Sequence, residues 1–596
     1  MNGNGRTYLA ENTDHNTPFI VGVSGHRDLL PEGLPHIRGA VTDFLHQLRR
    51  HLPDTELRIM SGMAVGSDLL VAQTALDLGF AVDAVLPMSL AQYAADFDPA
   101  AFASLEALLA HPRVRQVELA PPHGSSGPAA VSGPSRDALY LNLSRTLSRT
   151  CNLLLALWNG KSSIRPGGTA DTLLRYLAVR TDRNPHEHAV VAAGAPEEDA
   201  SFRFVYWIPV ARHESPRAHD LESPCFVSGL GDNALQRWTT MPSQLEHQLT
   251  QLNAYNREYR QLTDSRPGEG APDSLMRTLP SRLRIPAEAR PGLEQIDIQY
   301  GKADALAIYH QKRSDRFFKF FSVMTFAMGL TYLAYDKLIE VRVLLIAYLI
   351  VLLLSVGLYH LLQGRRWFAK HLMCRALAET LRAKFYLRLA AADHLVNAEE
   401  VISLSGIDRF HGFGWIGHVL TGFEAPLRDD EEDRSTADEC LDSVDAAWIE
   451  SQRRYFASKV TKLERSSRHT QGLKGTMFVV ILLVIASMIV LGSPLQNAEL
   501  LFDISLKNVL TFIMGLVAVT LGVWELHQNK MATRELLWQY RNQLAHFSLA
   551  RTQFARTSST GRRRMILAQL GKDSLMESYL WTIHRYHREH EPPGAG

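Results

Sequence analysis

Three short stretches of this chain combine glycine with charged or hydroxyl side chains in patterns suited to holding an anion. They read Ser24-Gly25-His26-Arg27-Asp28, Ser61-Gly62-Met63-Ala64-Val65-Gly66-Ser67-Asp68 and Pro166-Gly167-Gly168-Thr169. Glycine lets backbone N–H groups approach a phosphate closely, and the N-terminus of a following helix favours negative charge. On that reading the amides around Gly25, Ser61, Gly62, Gly66, Gly167, Gly168 and Thr169 hold phosphates. Arg27 adds charge, Asp68 accepts a ribose hydroxyl, and His26 stands in the same group. Each feature also has a plainer use. Glycines make tight turns, a lone histidine bonds structurally, and an aspartate at a helix start complements the dipole.

These loops need elements to position them, and the hydrophobic pattern supplies strands and helices in turn. Apolar runs at Phe19–Val23, Leu57–Met60, Phe80–Leu86, Val114–Leu119 and Leu153–Leu157 predict strands. Helical spacing covers Pro35–Leu52 through Ile37, Val41, Phe44, Leu45 and Leu48. A second helix runs from Leu69 to a stop at Gly79, a third surrounds Phe102–Leu109, and a fourth covers Ser135–Arg149. Another follows Thr169, with Leu173, Leu174, Leu177 and Ala178 on one face. The alternation predicts an α/β fold with a doubly wound parallel sheet. All three loops then lie beyond the carboxyl ends of strands, where such sheets bind ligands. Phe202–Val210 reads as one more strand, Leu245–Leu262 as a helix and Pro121–Pro134 as a loop. Arg266–Arg290 carries prolines and glycines without a sustained period, which predicts a linker.

The formal net charge is +1 over 596 residues, so no global field points to nucleic acid. The four cysteines, Cys151, Cys225, Cys374 and Cys440, are far apart. That argues against a zinc site or a disulfide framework and fits a reducing interior. No basic-then-apolar leader opens the sequence, so the first domain is expected in the cytoplasm.

The second half carries four apolar stretches, at 320–335, 343–362, 475–492 and 509–524, which predict membrane spans in two hairpins. Lys312, Arg313, Arg316 and Lys319 precede the first, and Arg365, Arg366 and Lys370 follow the second. Arg465, Arg468 and Lys474 precede the third, and Lys530 and Arg534 follow the fourth. The positive-inside rule therefore places both termini and the central region in the cytoplasm. No acidic or basic residue lies within a span, which argues against a pumped or coupled transporter. Gly515, Ala518 and Gly522 offer close helix packing. A helix precedes each hairpin (Tyr300–Arg316, Trp448–Arg468) and another follows it (Trp367–Leu389, Lys530–Phe554). The first and third spans begin about 155 residues apart with the same orientation, as parallel repeats do.

Ser61-Gly62-Met63-Ala64-x-Gly66-x-Asp68 resembles the glycine loop of the SLOG superfamily, which includes DprA-type DNA-processing proteins and LOG-type phosphoribohydrolases. Leu157-Trp158-Asn159-Gly160 with Pro166-Gly167-Gly168-Thr169 resembles that superfamily's second signature. The resemblance covers about the first third of the chain. It implies a Rossmann-like sheet that binds nucleotides or nucleotide-derived molecules. LOG-type enzymes carry a glutamate soon after the paired glycines, whereas Ala170-Asp171-Thr172-Leu173-Leu174-Arg175 has none. The DprA-type role needs a basic surface with aromatics for single-stranded DNA, and only scattered basic residues surround these loops. Binding is therefore expected without an assigned catalytic residue and without a nucleic-acid partner. The unit of helix, two spans and helix, with Arg375-Ala376-Leu377-Ala378-Glu379-Thr380-Leu381-Arg382 in the first trailing helix, is similar to the SLATT group. That group comprises two-span, membrane-permeabilising modules that accompany SLOG domains in bacterial conflict systems.

The expected organisation is a SLOG-like nucleotide-ligand sensor at 18–230, a linker with a helix at 231–290, and a first hairpin with flanking helices at 291–395. An irregular connector at 396–445, a second hairpin at 446–560 and a C-terminal helix and tail at 561–596 complete it. The function expected is that of a membrane effector in bacterial antiphage defence. A nucleotide-derived second messenger binds the sensor, and a homo-oligomer contacting membrane lipid permeabilises the inner membrane as a multi-pass protein with cytoplasmic termini. No metal or resident cofactor is assigned. The alternative is a membrane-anchored nucleotide N-glycosidase, resembling a phosphoribohydrolase, with Asp68 or Asp171 as the acid.

Overall fold

Short apolar runs covered on both faces become strands of a buried sheet, and amphipathic stretches between them become its covering helices. The computed structural model describes residues 16–121, 133–161, 165–178, 190–191, 203–213, 223–229, 234–265, 273–286, 289–396, 413–421, 434–490, 492, 498 and 504–589. The chain divides into two units. One takes Met1–Ala305, Leu377–Val444 and Ser558–Tyr579; the other takes Leu306–Ala376, Asp445–Thr557 and Leu580–Gly596.

In the first unit β1 (Phe19–Gly25), α1 (Leu34–His51), β2 (Leu57–Ser61), α2 (Ser67–Asp77) and β3 (Ala81–Leu86) alternate as the pattern predicts. Next come α3 (Leu90–Tyr93), α4 (Pro99–Leu109), β4 (Val114–Glu118), α5 (Pro134–Thr150), β5 (Leu153–Trp158) and α6 (Thr169–Ala178). β6 (Val190–Val191), β7 (Val205–Pro209), β8 (Cys225–Gly229), β9 (Ala234–Trp238) and α7 (Ser243–Ser265) follow. The described strands form one sheet in the order β4-β3-β2-β1-β5-β7-β8-β9-β6. β5 is buried at every position, as a central strand covered on both faces must be. Phe44 of α1 stacks on Tyr206 of β7, with ring centroids 4.1 Å apart.

The expectation of a wholly parallel sheet needs correction. β4, β3, β2, β1, β5 and β7 run parallel, but β8 pairs antiparallel with both β7 and β9. The connection from Gly229 to Ala234 is too short for a parallel crossover, which needs a dozen residues or more. In the stretch read as a linker with a helix, β9 adds a strand to the sheet, and α7 is the expected helix; α7 buries Leu245, Leu249, Leu252, Tyr255, Tyr259 and Leu262. Most of Pro121–Pro134, together with Phe202, lies outside the described residues.

The remaining helices are α8 (Arg290–Lys337), α9 (Arg342–Gln363), α10 (Trp367–Leu389), α11 (Gly414–Thr421), α12 (Arg434–Val444), α13 (Ser451–Val490), α14 (Leu506–Met531), α15 (Thr533–Ala555) and α16 (Thr560–Glu589). The connector expected to be irregular is helical in its described parts, α11 and α12. α11 is buried at every residue, and it packs so closely that a Cβ at Gly414 would meet the Gln248 side chain at 2.5 Å. Asn152 ties α11 to the sheet, accepting from the Ile20 amide at 2.7 Å and donating to the His418 carbonyl at 2.7 Å. Below the sheet's amino edge the fully buried Lys302 donates to Thr17 Oγ1 at 3.1 Å and to Asn256, over the ring of Tyr255 at 4.3 Å.

The second unit is helical. Four helical stretches, Arg290–Lys337, Arg342–Leu389, Ala437–Val490 and Leu506–Ala555, are long and apolar enough to cross a membrane. α8 and α13 each run as one helix where a separate helix and span were expected. Apolar side chains of α9 and α13 face outward: Val490 is 83% exposed, Leu361 74% and Val343 67%. Of the small residues expected to pack closely, Gly515 does so, since a Cβ there would lie 2.5 Å from Leu333. Gly329 of α8 reciprocates against Val519, whereas Gly522 meets nothing within 4 Å.

Candidate functional site

From β1 the chain steps outward through β2, β3 and β4, then returns to the opposite side of β1 as β5. The order of strands therefore reverses between β1 and β5, and a crevice opens beyond their carboxyl ends at such a point. The loop after β1 begins with Gly25, whose register partner is Leu157, and the His26 amide donates to the Leu157 carbonyl at 3.1 Å. The His26 imidazole spans the reversal. Its Nε2 lies 3.0 Å from Asn159 Oδ1 and 3.2 Å from the Asn159 amide, donating to one or accepting from the other according to tautomer. Burial lowers its pKa, against the Asn159 hydrogen bond, so the ring is neutral near pH 7. Asp28 closes the far side by an ion pair with Arg212 at 2.7 Å.

The loop after β2 interlocks with the loop after β1. Ser67 donates to the His26 carbonyl through both its amide, at 3.1 Å, and its hydroxyl, at 2.7 Å. Gly66 has φ +88°, and a Cβ there would overlap the Arg27 carbonyl. Only glycine fits. Ser61 is buried and accepts from the Met63 amide at 3.0 Å. Gly62 passes close to Leu143 of α5, where a Cβ would sit at 2.7 Å.

Asp68 and Asp171 stand differently from what their sequence positions suggest. Asp68 is buried and turns back onto its own loop, accepting from the Ala64 amide at 3.4 Å, with the amides of Gly62 and Gly25 also bonded to it. Burial nevertheless raises its pKa to about 7, against those amides and the field of Arg27. The carboxylate expected to take a ribose hydroxyl thus serves the loop itself. Asp171 does the same for the loop after β5, where the Gly167 amide donates to its Oδ2 at 2.8 Å. Arg175 reaches that oxygen at 2.8 Å as well. An aspartate one turn into a helix reaches its own loop amides at little entropic cost, so it takes the place foreseen for phosphate there. The Gly168 amide donates to Arg165 at 3.2 Å, and Thr169 is buried at the start of α6.

The element that gathers the three loops is α5. Gly167, at φ +74°, seats its turn against the Tyr140 backbone, where a Cβ would lie 2.7 Å from the carbonyl carbon. Arg27, exposed, lies over the Tyr140 ring with its guanidinium carbon 4.9 Å from the centroid. The Tyr140 hydroxyl donates to Asp96, which pairs with the buried Arg136 at 2.8 Å. Tyr93 is fully buried and donates to the Gly62 carbonyl at 2.9 Å. Partial burial works against the charge on Arg27, but Tyr140, Tyr93 and Asp96 outweigh it and raise the pKa. Arg136 and Tyr140 share a helix face at i, i+4, the one signal in the sequence that could have marked them.

The arrangement therefore brings Gly25, His26, Arg27, Ser61, Gly62, Gly66 and Asp68 together at one edge, with Gly167, Gly168 and Thr169 across α5. It offers the exposed Arg27, a neutral imidazole with its amide partner and a carboxyl that titrates near neutrality, with Lys161 and Arg165 also exposed in the loop after β5. Among the described residues no cluster of three or more His, Cys, Asp or Glu could hold a metal ion. Compared with known proteins, the chain matches no family model and no curated protein.

Proposed function

We propose that this protein is a membrane effector that responds to a nucleotide-derived anion held at the strand-order reversal of its α/β unit. One observation carries the reading: three loops beyond the carboxyl ends of parallel strands converge on α5, with Arg27 exposed at their centre. Anionic ligands of α/β sheets bind at such reversals. Arg27 supplies the charge for a phosphate, and His26 with Asn159 offers polar contacts to a sugar or base. The internal carboxylates of Asp68 and Asp171 hold the loops in shape before the ligand arrives. The outward-facing apolar helices suit a bilayer, which supports a Rossmann-like sensor joined to a multi-pass inner-membrane module with cytoplasmic termini. Binding shifts that module only through unequal affinity for its two states, and oligomerisation is the proposed response. Antiphage defence, through SLOG-like and SLATT-like parts, is the setting such a device fits.

The test is thermal stability of the purified full-length chain against a panel of cyclic nucleotides, nucleoside phosphates and ADP-ribose. At least one should raise the melting temperature of wild type and leave Arg27→Glu unmoved. A flat response across the panel contradicts the reading.

A second reading draws on Asp68. A carboxyl with a pKa of about 7 is partly protonated at neutral pH and can act as a general acid, as N-glycosidic cleavage requires. Release of free base from NAD or a nucleoside monophosphate, abolished in Asp68→Asn, would favour an enzyme.

A further inference from the structure

We propose that the Tyr140 ring is the stacking platform for an aromatic base of the ligand, and that Arg27 leaves this ring to pair with the ligand's phosphate. The inference rests on the ligand reading above and narrows the ligand to a phosphate that carries a planar base. Three features of the structure support it.

The first is that the ring face already carries a cation–π contact. A guanidinium is a planar cation, and at 4.9 Å over the centroid it occupies the face that a purine or pyrimidine would use. The second is that the ring is anchored from the interior while its cover, Arg27, lies at the surface and is held by the Tyr140 hydroxyl itself. The Tyr140 hydroxyl is held by Asp96, and Asp96 is held by Arg136, which is only 4% exposed. The backbone at Tyr140 is pressed by the Gly167 turn, and the Tyr93 ring lies 6.5 Å away. Arg27, by contrast, is exposed, so its departure uncovers the ring to solvent rather than to the core. The third is position. Tyr140 lies between the loop after β1 and the turn before α6, so a base on its face leaves the attached phosphate within the field of Arg27 and the loops.

A sugar phosphate without a base gains Arg27 but loses the Arg27–Tyr140 contact and replaces it with nothing. A nucleotide restores the stack with its own ring while Arg27 moves to the phosphate. The base is therefore worth about tenfold or more in affinity, by the usual strength of aromatic stacking.

Titration calorimetry on the full-length protein in nanodiscs, with AMP and ribose 5-phosphate as the two probes, tests this, because the probes differ only in the base. AMP should bind about tenfold or more tightly than ribose 5-phosphate. Tyr140→Leu should bring AMP to the level of ribose 5-phosphate and leave the latter within about twofold, whereas Tyr140→Phe should keep the preference. If Tyr140→Leu does not fold by circular dichroism, Arg27→Lys decides. It keeps the cation for the phosphate but removes the planar guanidinium from the ring, so the preference for AMP must persist or widen, and its loss contradicts the platform. Equal binding of both probes, or a folded Tyr140→Leu that binds AMP as wild type does, overturns the platform and leaves the phosphate reading standing. Binding of neither probe overturns both.

Discussion

The loops after β2 and β5 are built alike and differ in what balances their carboxylates. In each, an aspartate in the first turn of the next helix accepts the amides of its own glycine loop. Asp171 has a cation in contact, with Arg175 at 2.8 Å. Asp68 has amides for neighbours and feels Arg27 only through space, so burial dominates and its pKa rises to about 7. The contrast assigns different work to two similar turns. The Asp171 turn is a fixed support for α6, whereas the Asp68 turn changes charge within the physiological range beside the exposed Arg27.

The largest effect that would sharpen this contrast is expected from glycine substitution. Gly66→Ala forces a side chain into φ +88° and onto the Arg27 carbonyl, and should cost about 3 kcal/mol or more. Gly167→Ala, at φ +74° against the Tyr140 backbone, should cost somewhat less, because that φ lies in the left-handed region that other residues do visit. Equal, small losses in chemical denaturation would show that neither turn is held as described.

Asp171→Ala comes next. It leaves the Gly167 amide and the partly buried Arg175 without their shared oxygen, and about 2 kcal/mol should be lost. Asp68→Asn should act in the opposite direction. Its folded pKa lies above the ordinary 3.8, so the folded chain keeps a proton that the unfolded chain has released between about pH 4 and 7. Wild-type stability therefore falls as pH rises through that window and levels off above it. The Asn variant should gain about 1–2 kcal/mol over wild type at pH 8, and the gain should vanish near pH 4. Melting curves of both proteins at the two pH values check this. A variant less stable than wild type at pH 8 would erase the distinction between the turns.

Much of the first unit was legible because its core strands are unbroken apolar runs, such as Leu153–Leu157, separated by helices of clear period, such as Ile37 to Leu48. β8 and β9 were not, because five-residue strands reading CFVSG and ALQRW carry no alternation long enough to separate from loop. α11 was missed for a related reason: Gly414 and Gly417 break its helical signature, although both are buried and a Cβ at Gly414 would meet the Gln248 side chain. The glycine loops were found, yet the roles of Asp68 and Asp171 were not. An aspartate at a helix start suits a ligand hydroxyl and its own loop amides equally, and only the backbone path decides. Tyr140 was invisible for a deeper reason. Its importance comes from where Gly167 and Arg27 meet it, and no local pattern encodes a meeting of residues so distant in sequence.

The coupling of a nucleotide at Arg27 to the apolar helices is tested most directly by dye release from vesicles reconstituted with the full chain. Release on addition of a stabilising nucleotide, absent with Arg27→Glu, is the expected result. Release that is the same with and without nucleotide, or the same in Arg27→Glu, would contradict it.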